Sequence, residues 1–293
     1  MAVKMPDARP ARAPAAGTRA RGAAGAVKEL VDARELTANL VRRDLKVRHR
    51  GTFLGMLWSL ATPLLIVALY YFVFKLVFRA SPADDVARPD GNDVPFAVYF
   101  FAGLTLWNLF STSVANSTSS IIGSGYLLHK VYFPRAILPL SSVLSAMVTS
   151  GFEFAVLLAA TLLVVGPPSL LILWVPVIVL ITAVLCFGMA LLLSTVTVFL
   201  RDVAHFVGVF LQVWFWATPI IYSLQFVAER PGLVRALKFN PLTGLIVSFR
   251  NVVVLDHGPP LRLLAYDAAF ALVALGVGAW AFGRYQRTFS EVV

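Results

Sequence analysis

Inside the long apolar stretches of this sequence few side chains could do chemistry, and Glu153 is the clearest of them. It stands between Phe152 and Phe154 in a segment otherwise suited to lipid, where a carboxylate without a partner is costly. Three uses fit it: a hydrogen bond to a neighbouring helix, a place on an aqueous conduit, or a position near the membrane surface where it matters little. Asp267, close to the start of the last apolar segment, reads as an interface carboxylate. Cys186 is the single cysteine, so there is no disulfide framework and no thiolate metal site, and in its apolar run it reads as a small buried hydrophobe. His49, His129, His205 and His257 fall in separate hydrophilic stretches with no metal-binding spacing. There is no GxxxxGK[ST], GxGxxG or GxSxG, and Gly123-Ser124-Gly125 lacks the strand and helix of a phosphate cradle. We therefore expect no metal, no cofactor and no catalysis on this chain. If it works against a gradient, the energy comes from another chain or from ions.

Two other groups of residues carry information. His129-Lys130-Val131-Tyr132-Phe133-Pro134-Arg135 mixes basic heads with apolar surface in a hydrophilic loop, as a docking element does; the alternative is an interfacial turn stopped by Pro134. Aromatic residues are dense around Trp58 and Tyr70, around Trp107, and at Trp214 and Trp216. Their rings could line a conduit and let a polymer slide over sugar-stacking faces, or they could be ordinary lipid and interface anchors.

The elements that must position these residues follow from composition. Of the 293 residues 59% are hydrophobic and 14% charged, well below the charged fraction of about a quarter in soluble domains. The expectation is an all-α polytopic membrane protein with six transmembrane helices, at about 53–78, 94–114, 136–165, 170–199, 203–222 and 263–282. The net charge of +10 is uneven: residues 1–50 hold twelve basic and five acidic residues. Placed beside the first span, that charge argues for cytoplasmic topology and against nucleic-acid binding. Both termini are expected in the cytoplasm, with Asp84, Asp85, Asp90 and Asp93 in an external loop.

Residues 1–27 read as a flexible tail rich in Ala, Arg, Pro and Gly, with no signal-peptide core. Residues 28–50 place Leu30, Leu36, Leu40, Leu45 and Val47 beside Arg42, Arg43, Lys46, Arg48 and Arg50, which suits an amphipathic helix at the inner surface or a plain basic flank of the first span. The membrane domain takes 51–289, and 290–293 form a short C-terminal tail. Residues 223–262 resist the topology rule, with Arg230, Arg235, Lys238, Arg250 and Arg262 against Glu229 and Asp256 on the expected outer side. Asn240-Pro241 divides this stretch into two short helices at the external surface.

In their order these elements resemble the membrane subunit of the ABC-2 type polysaccharide exporters, the O-antigen, teichoic acid and related cell-wall permeases. The similar residues are Leu40 to Arg50 followed by Leu54-Gly55-Met56-Leu57-Trp58 and Pro63, then Lys130 to Arg135, then Asn240-Pro241-Leu242-Thr243. The resemblance implies a homodimeric permease in the cytoplasmic membrane. It implies two copies of a separate cytoplasmic ATPase that carries ATP and Mg, and a lipid-linked polysaccharide as cargo. It also implies ATPase coupling through Tyr126, His129, Lys130, Tyr132, Phe133 and Arg135, forming a coupling helix between spans 2 and 3. A gating helix would carry Arg42, Arg43, Lys46, Arg48 and Arg50. Trp58, Tyr70, Trp107, Glu153, Trp214 and Trp216 remain conduit candidates. Exporters of small molecules or lipids in the same class, a membrane glycosyl- or acyltransferase and an ion-coupled transporter are the rival readings.

Overall fold

The computed structural model describes residues 23–48, 58–77, 88–89, 94–126 and 133–292. Among these the chain is all α. Helix α1 covers Ala23–Asp32 and α2 Arg34–Arg48, joined by a turn at Ala33. Helix α3 is Trp58–Tyr71, continued by a wider turn at Phe72–Val77. Then come α4 (Phe96–Thr118), α5 (Ile137–Val164), α6 (Val175–Phe199, entered through a tight turn at Leu170–Trp174) and α7 (Val203–Trp216). Helices α8 (Pro231–Phe239) and α9 (Pro241–Arg250, widened over Asn251–Leu255) precede α10 (Leu261–Tyr285) and the short α11 (Phe289–Val292).

The expectation of six spans fails. Among the described residues four helices are long and apolar enough to cross a membrane: Phe96–Thr118, Ile137–Val164, Leu170–Phe199 and Leu261–Tyr285. Among the described residues the helices within the other two expected segments are shorter. Helix α3 has 14 residues with Pro63 inside, and α7 has 14 residues before the chain turns at Ala217–Pro219. Hydropathy counts apolar residues and does not see where a helix stops; at Pro219 the missing N–H and the ring end the ladder.

Helix α4 sits at the centre, against α3, α5, α6, α7 and α9, while α6 and α10 form the other main pair. Its mean hydropathy is 1.3 and 78% of its apolar window is buried, whereas Leu170–Phe199 reaches 3.0 with 28% buried. The inversion has a simple cause: a helix facing lipid must be apolar, while one surrounded by protein can keep polar groups that find partners. Thr105, Thr118, Thr149, Thr161, Thr182 and Thr195 satisfy their hydroxyls on the carbonyl four residues back in their own helix.

Contacts fix which ends lie together. The Arg135 guanidinium donates to Gln286 O, and the rings of Phe199 and Tyr285 meet at 5.6 Å, so the start of α5 and the ends of α6 and α10 share one end. At the other end Arg88 pairs with Asp256 at 3.7 Å, and Arg250 of α9 reaches Tyr99 near the start of α4. With 25 residues, α10 separates these two ends by about 36 Å.

Candidate functional site

At the Arg135 end, two motifs far apart in sequence come together. Helix α2 lays Leu40 on Ile137 and Leu138 of α5, with Leu36 and Phe133 packed around them. Phe133 is thus half-buried inside the chain's own structure. Arg43 Nη1 donates to Tyr126 Oη at 3.1 Å, while Nε and Nη2 donate to Asp44 Oδ1 at 3.2 and 3.0 Å. Partial burial lowers the Arg43 pKa, but the hydrogen bond and charge of Asp44, then those of Tyr126, outweigh it and hold the value above that of an ordinary guanidinium. Arg42 and Lys46 are exposed. Arg48 ends α2, and its side chain, Arg50, His129, Lys130 and Tyr132 lie outside the described residues. Tyr126 and Phe133–Arg135, on either side of residues 127–132, are thus tied to α2 through Arg43 and Phe133 and to α10 through Gln286.

In the interior, Glu153 is 3% exposed and accepts a hydrogen bond from Asn108 Nδ2 of α4 at 3.0 Å. The pair joins the central helix to α5. Replacing Glu153 by Gln keeps an acceptor in place, whereas Ala leaves the Asn108 amide unmet at a cost of about 1–3 kcal/mol. We expect the thermal midpoint of the purified protein in detergent to fall clearly for Glu153→Ala and little for Glu153→Gln. Equal midpoints for the two variants would refute the hydrogen bond as the reason for the carboxylate.

The aromatic candidates divide. Trp107 is buried, its ring 5.9 Å from Phe110 and edge-on to Phe215 at 5.5 Å. Half-buried Tyr70 packs on Phe74 and Phe100 at 6.1 and 4.9 Å. Trp214, also half-buried, meets Phe110 edge-on at 5.1 Å and donates Nε1–H to Asn240 Oδ1 at 3.0 Å. Trp58 and Trp216 are exposed on the outside of the chain. The structure brings Trp107 and Trp214 into one aromatic layer between α4 and α7, with exposed Trp216 at its edge against Phe215 at 5.7 Å, and leaves Trp58 outside it.

Sequence reasoning missed two residues that hold this region. Asn240 reads in sequence as a break; its side chain accepts from Leu242 N at 3.0 Å as the cap of α9 and donates to Thr218 Oγ1 at 2.8 Å and Ala217 O at 3.1 Å. Asn-Pro is the signature of a helix start, with proline at the first position where no N–H is needed. Arg250 reads as one more external cation but is fully buried. Its Nε donates to Tyr99 O at 3.0 Å, Nη1 to Pro219 O at 2.7 Å and Nη2 to Ile220 O, and the guanidinium lies 3.9 Å above the Tyr99 ring. A methyl on Gly103 would run into this group. The available signal was a lone cation inside the apolar run from Leu242 to Leu255. Asp267, expected at the interface, is also fully buried, against Gly244 of α9.

Among the described residues no group of three or more His, Cys, Asp and Glu could hold a metal ion. The ABC-2 type transporter family matches residues 35–254. An O-antigen export system permease protein RfbA of Klebsiella pneumoniae is 34% identical over 269 residues, covering 88% of this chain and 95% of that protein. Its Myxococcus xanthus counterpart is 31% identical over 268 residues, covering 91% of this chain and 98% of that protein. A match running from α2 into the widened end of α9 takes in the packing of α2 on α5, the central helix and the Arg250 anchor, and on it this chain belongs to the ABC-2 type transporter family.

Proposed function

We propose that this chain is the membrane permease subunit of an ATP-driven exporter of an O-antigen-like, lipid-linked polysaccharide. The observation that carries the reading is likeness along about nine-tenths of the chain to O-antigen export permeases. As a member of the ABC-2 type family the subunit provides passage and coupling without catalysis of its own, and nucleotide chemistry belongs to a separate ATPase. Two copies of the permease would enclose the conduit and engage two copies of that ATPase in the cytoplasmic membrane. In this reading the end bearing Arg135 and Gln286 faces the cytoplasm, as do both termini. Residues 28–50, which hold the end of α1 and all of α2, are the interfacial gating element and 51–289 the membrane domain, with 1–27 and 290–293 flanking them.

The joining of α2 to the Tyr126–Arg135 segment supports a mechanical role. ATP binding in the partner would push this segment, and the push would reach α2, α5 and α10 together through Arg43, Phe133 and Arg135. Because Phe133 and Arg135 make internal contacts, the sharper test of docking is Lys130→Ala with Tyr132→Ala. Loss of hot-spot contacts of this kind costs about tenfold in affinity or more. We expect glycan export to fall by about that factor while the permease remains folded, and unchanged export would refute docking there. Gentle isolation of the tagged chain from its native membrane, with mass spectrometry of retained proteins and glycolipid, tests the whole reading. A co-purifying ATPase and lipid-linked glycan are expected; preserved complexes without an ATPase would overturn it.

A further inference from the structure

The reversed charge of residues 223–262 stands apart from the contacts described around Arg43, Phe133 and Arg135. Arg250 is sequestered on carbonyl oxygens and Asp256 is paired with Arg88, which leaves Arg230, Arg235, Lys238 and Arg262 exposed with Glu229 as the exposed acid of this stretch. None of these four cations is ion-paired among the described residues. Helix α8 turns Leu237 inward, and Arg235 and Lys238, three apart, share its outward side. Its C-terminal end is fastened to α10, where Tyr266 Oη donates to Phe239 O at 2.8 Å. Arg262 stands one turn before Tyr266 on the same side of α10. Below these cations the rings of Phe239, Tyr266 and Phe270 follow one another at 6.1 and 6.4 Å, with Phe239 73% exposed.

Cations beside a ladder of rings, exposed at Phe239 and Phe270 and half-buried at Tyr266, match the boundary between headgroups and acyl chains, where basic residues meet phosphate and aromatic residues sit in the interface. On α10 the order Arg262, Tyr266, Phe270 runs from charge to rings along the helix, as an acyl chain follows its headgroup. We propose that α8 and the first turns of α10 form an outer-leaflet site for an anionic phospholipid. Its phosphate lies against Arg235, Lys238 and Arg262, and its acyl chain along Phe239, Tyr266 and Phe270. The inference rests on the reading that this end of the bundle faces outward.

The test uses the purified permease with its co-purifying partner in nanodiscs of equal parts phosphatidylglycerol and phosphatidylethanolamine, with retained lipid counted by native mass spectrometry. Wild type should keep phosphatidylglycerol in preference to phosphatidylethanolamine. R235Q/K238Q/R262Q should lose that preference several-fold, and R235K/R262K, which keeps the charge, should retain it. All three positions are exposed, so the fold survives these changes. Sidedness is read separately by labelling R235C with a membrane-impermeant maleimide in right-side-out vesicles, since Cys186 is buried. Labelling from outside with equal phosphatidylglycerol retention in wild type and the glutamine variant would overturn the lipid site alone. Labelling only from inside would overturn the sidedness, and the outer-leaflet site with it.

Discussion

Arg250→Met should lower the stability of the permease by about 3 kcal/mol and abolish export, more than any surface substitution on the same helix. The side chain supplies N–H groups to Tyr99 O, Pro219 O and Ile220 O, all buried. A methionine fills much of the volume but donates nothing, and an unmet buried carbonyl costs about 1–3 kcal/mol. Where a buried cation is paired with a carboxylate, replacing both partners by apolar groups can cost little. Here the partners are main-chain carbonyls, which no substitution removes, so the loss is not offset. Arg250→Lys has one nitrogen to serve three acceptors and should fall between wild type and methionine. Gly103→Ala attacks the same joint from the other side, by pushing a methyl into the guanidinium. Thermal unfolding in detergent, followed as loss of the monodisperse peak, reads all three variants. A wild-type midpoint for Arg250→Met would show that the anchor does not hold α9 to α4 and the turn after α7.

That anchor also marks where the sequence stops being informative. Helices α4, α5, α6 and α10 are legible because each carries enough apolar residues to fix both its type and its membrane setting. The end of α7 is not, because a run of hydrophobic letters continues past Trp216 through Ile220 and Ile221 while the backbone has already turned. Glu153 is legible as needing a partner; that the partner is Asn108 depends on how α4 and α5 are placed side by side. Arg250 is harder still, since its partners are carbonyls, which every residue has, and they lie 30 to 151 positions away. The link from Arg43 to Tyr126 bridges 83 positions, so each motif could be picked out alone while their union could not.

Gly278→Leu should be the most damaging substitution in the α6–α10 pair, with Gly276→Leu two positions away nearly silent. A Cβ at Gly278 would collide with the carbonyl oxygen of Gly188, and one at Gly188 would lie 2.5 Å from the Ala274 carbonyl carbon and the Leu275 nitrogen. Gly276 has open space at the same point and is exposed. Helices in lipid gain little from burying apolar surface against each other, so their association depends on close backbone approach and dispersion contacts. Overpacking a core costs about 1–3 kcal/mol when side chains can shift. Against backbone no rotamer change relieves the clash, so the helices must separate, and the cost rises to about 3 kcal/mol or more. Separation would also carry Gln286, at the end of α10, off Arg135 and so loosen the contact between the start of α5 and the end of α10. We therefore expect Gly278→Leu to lower both the thermal midpoint and the yield of folded protein, and Gly276→Leu to stay within about 0.5 kcal/mol of wild type. Equal midpoints for the two would mean that α6 and α10 are held by the flanking side chains, and that the close approach at Gly188 and Gly278 contributes nothing to the pair.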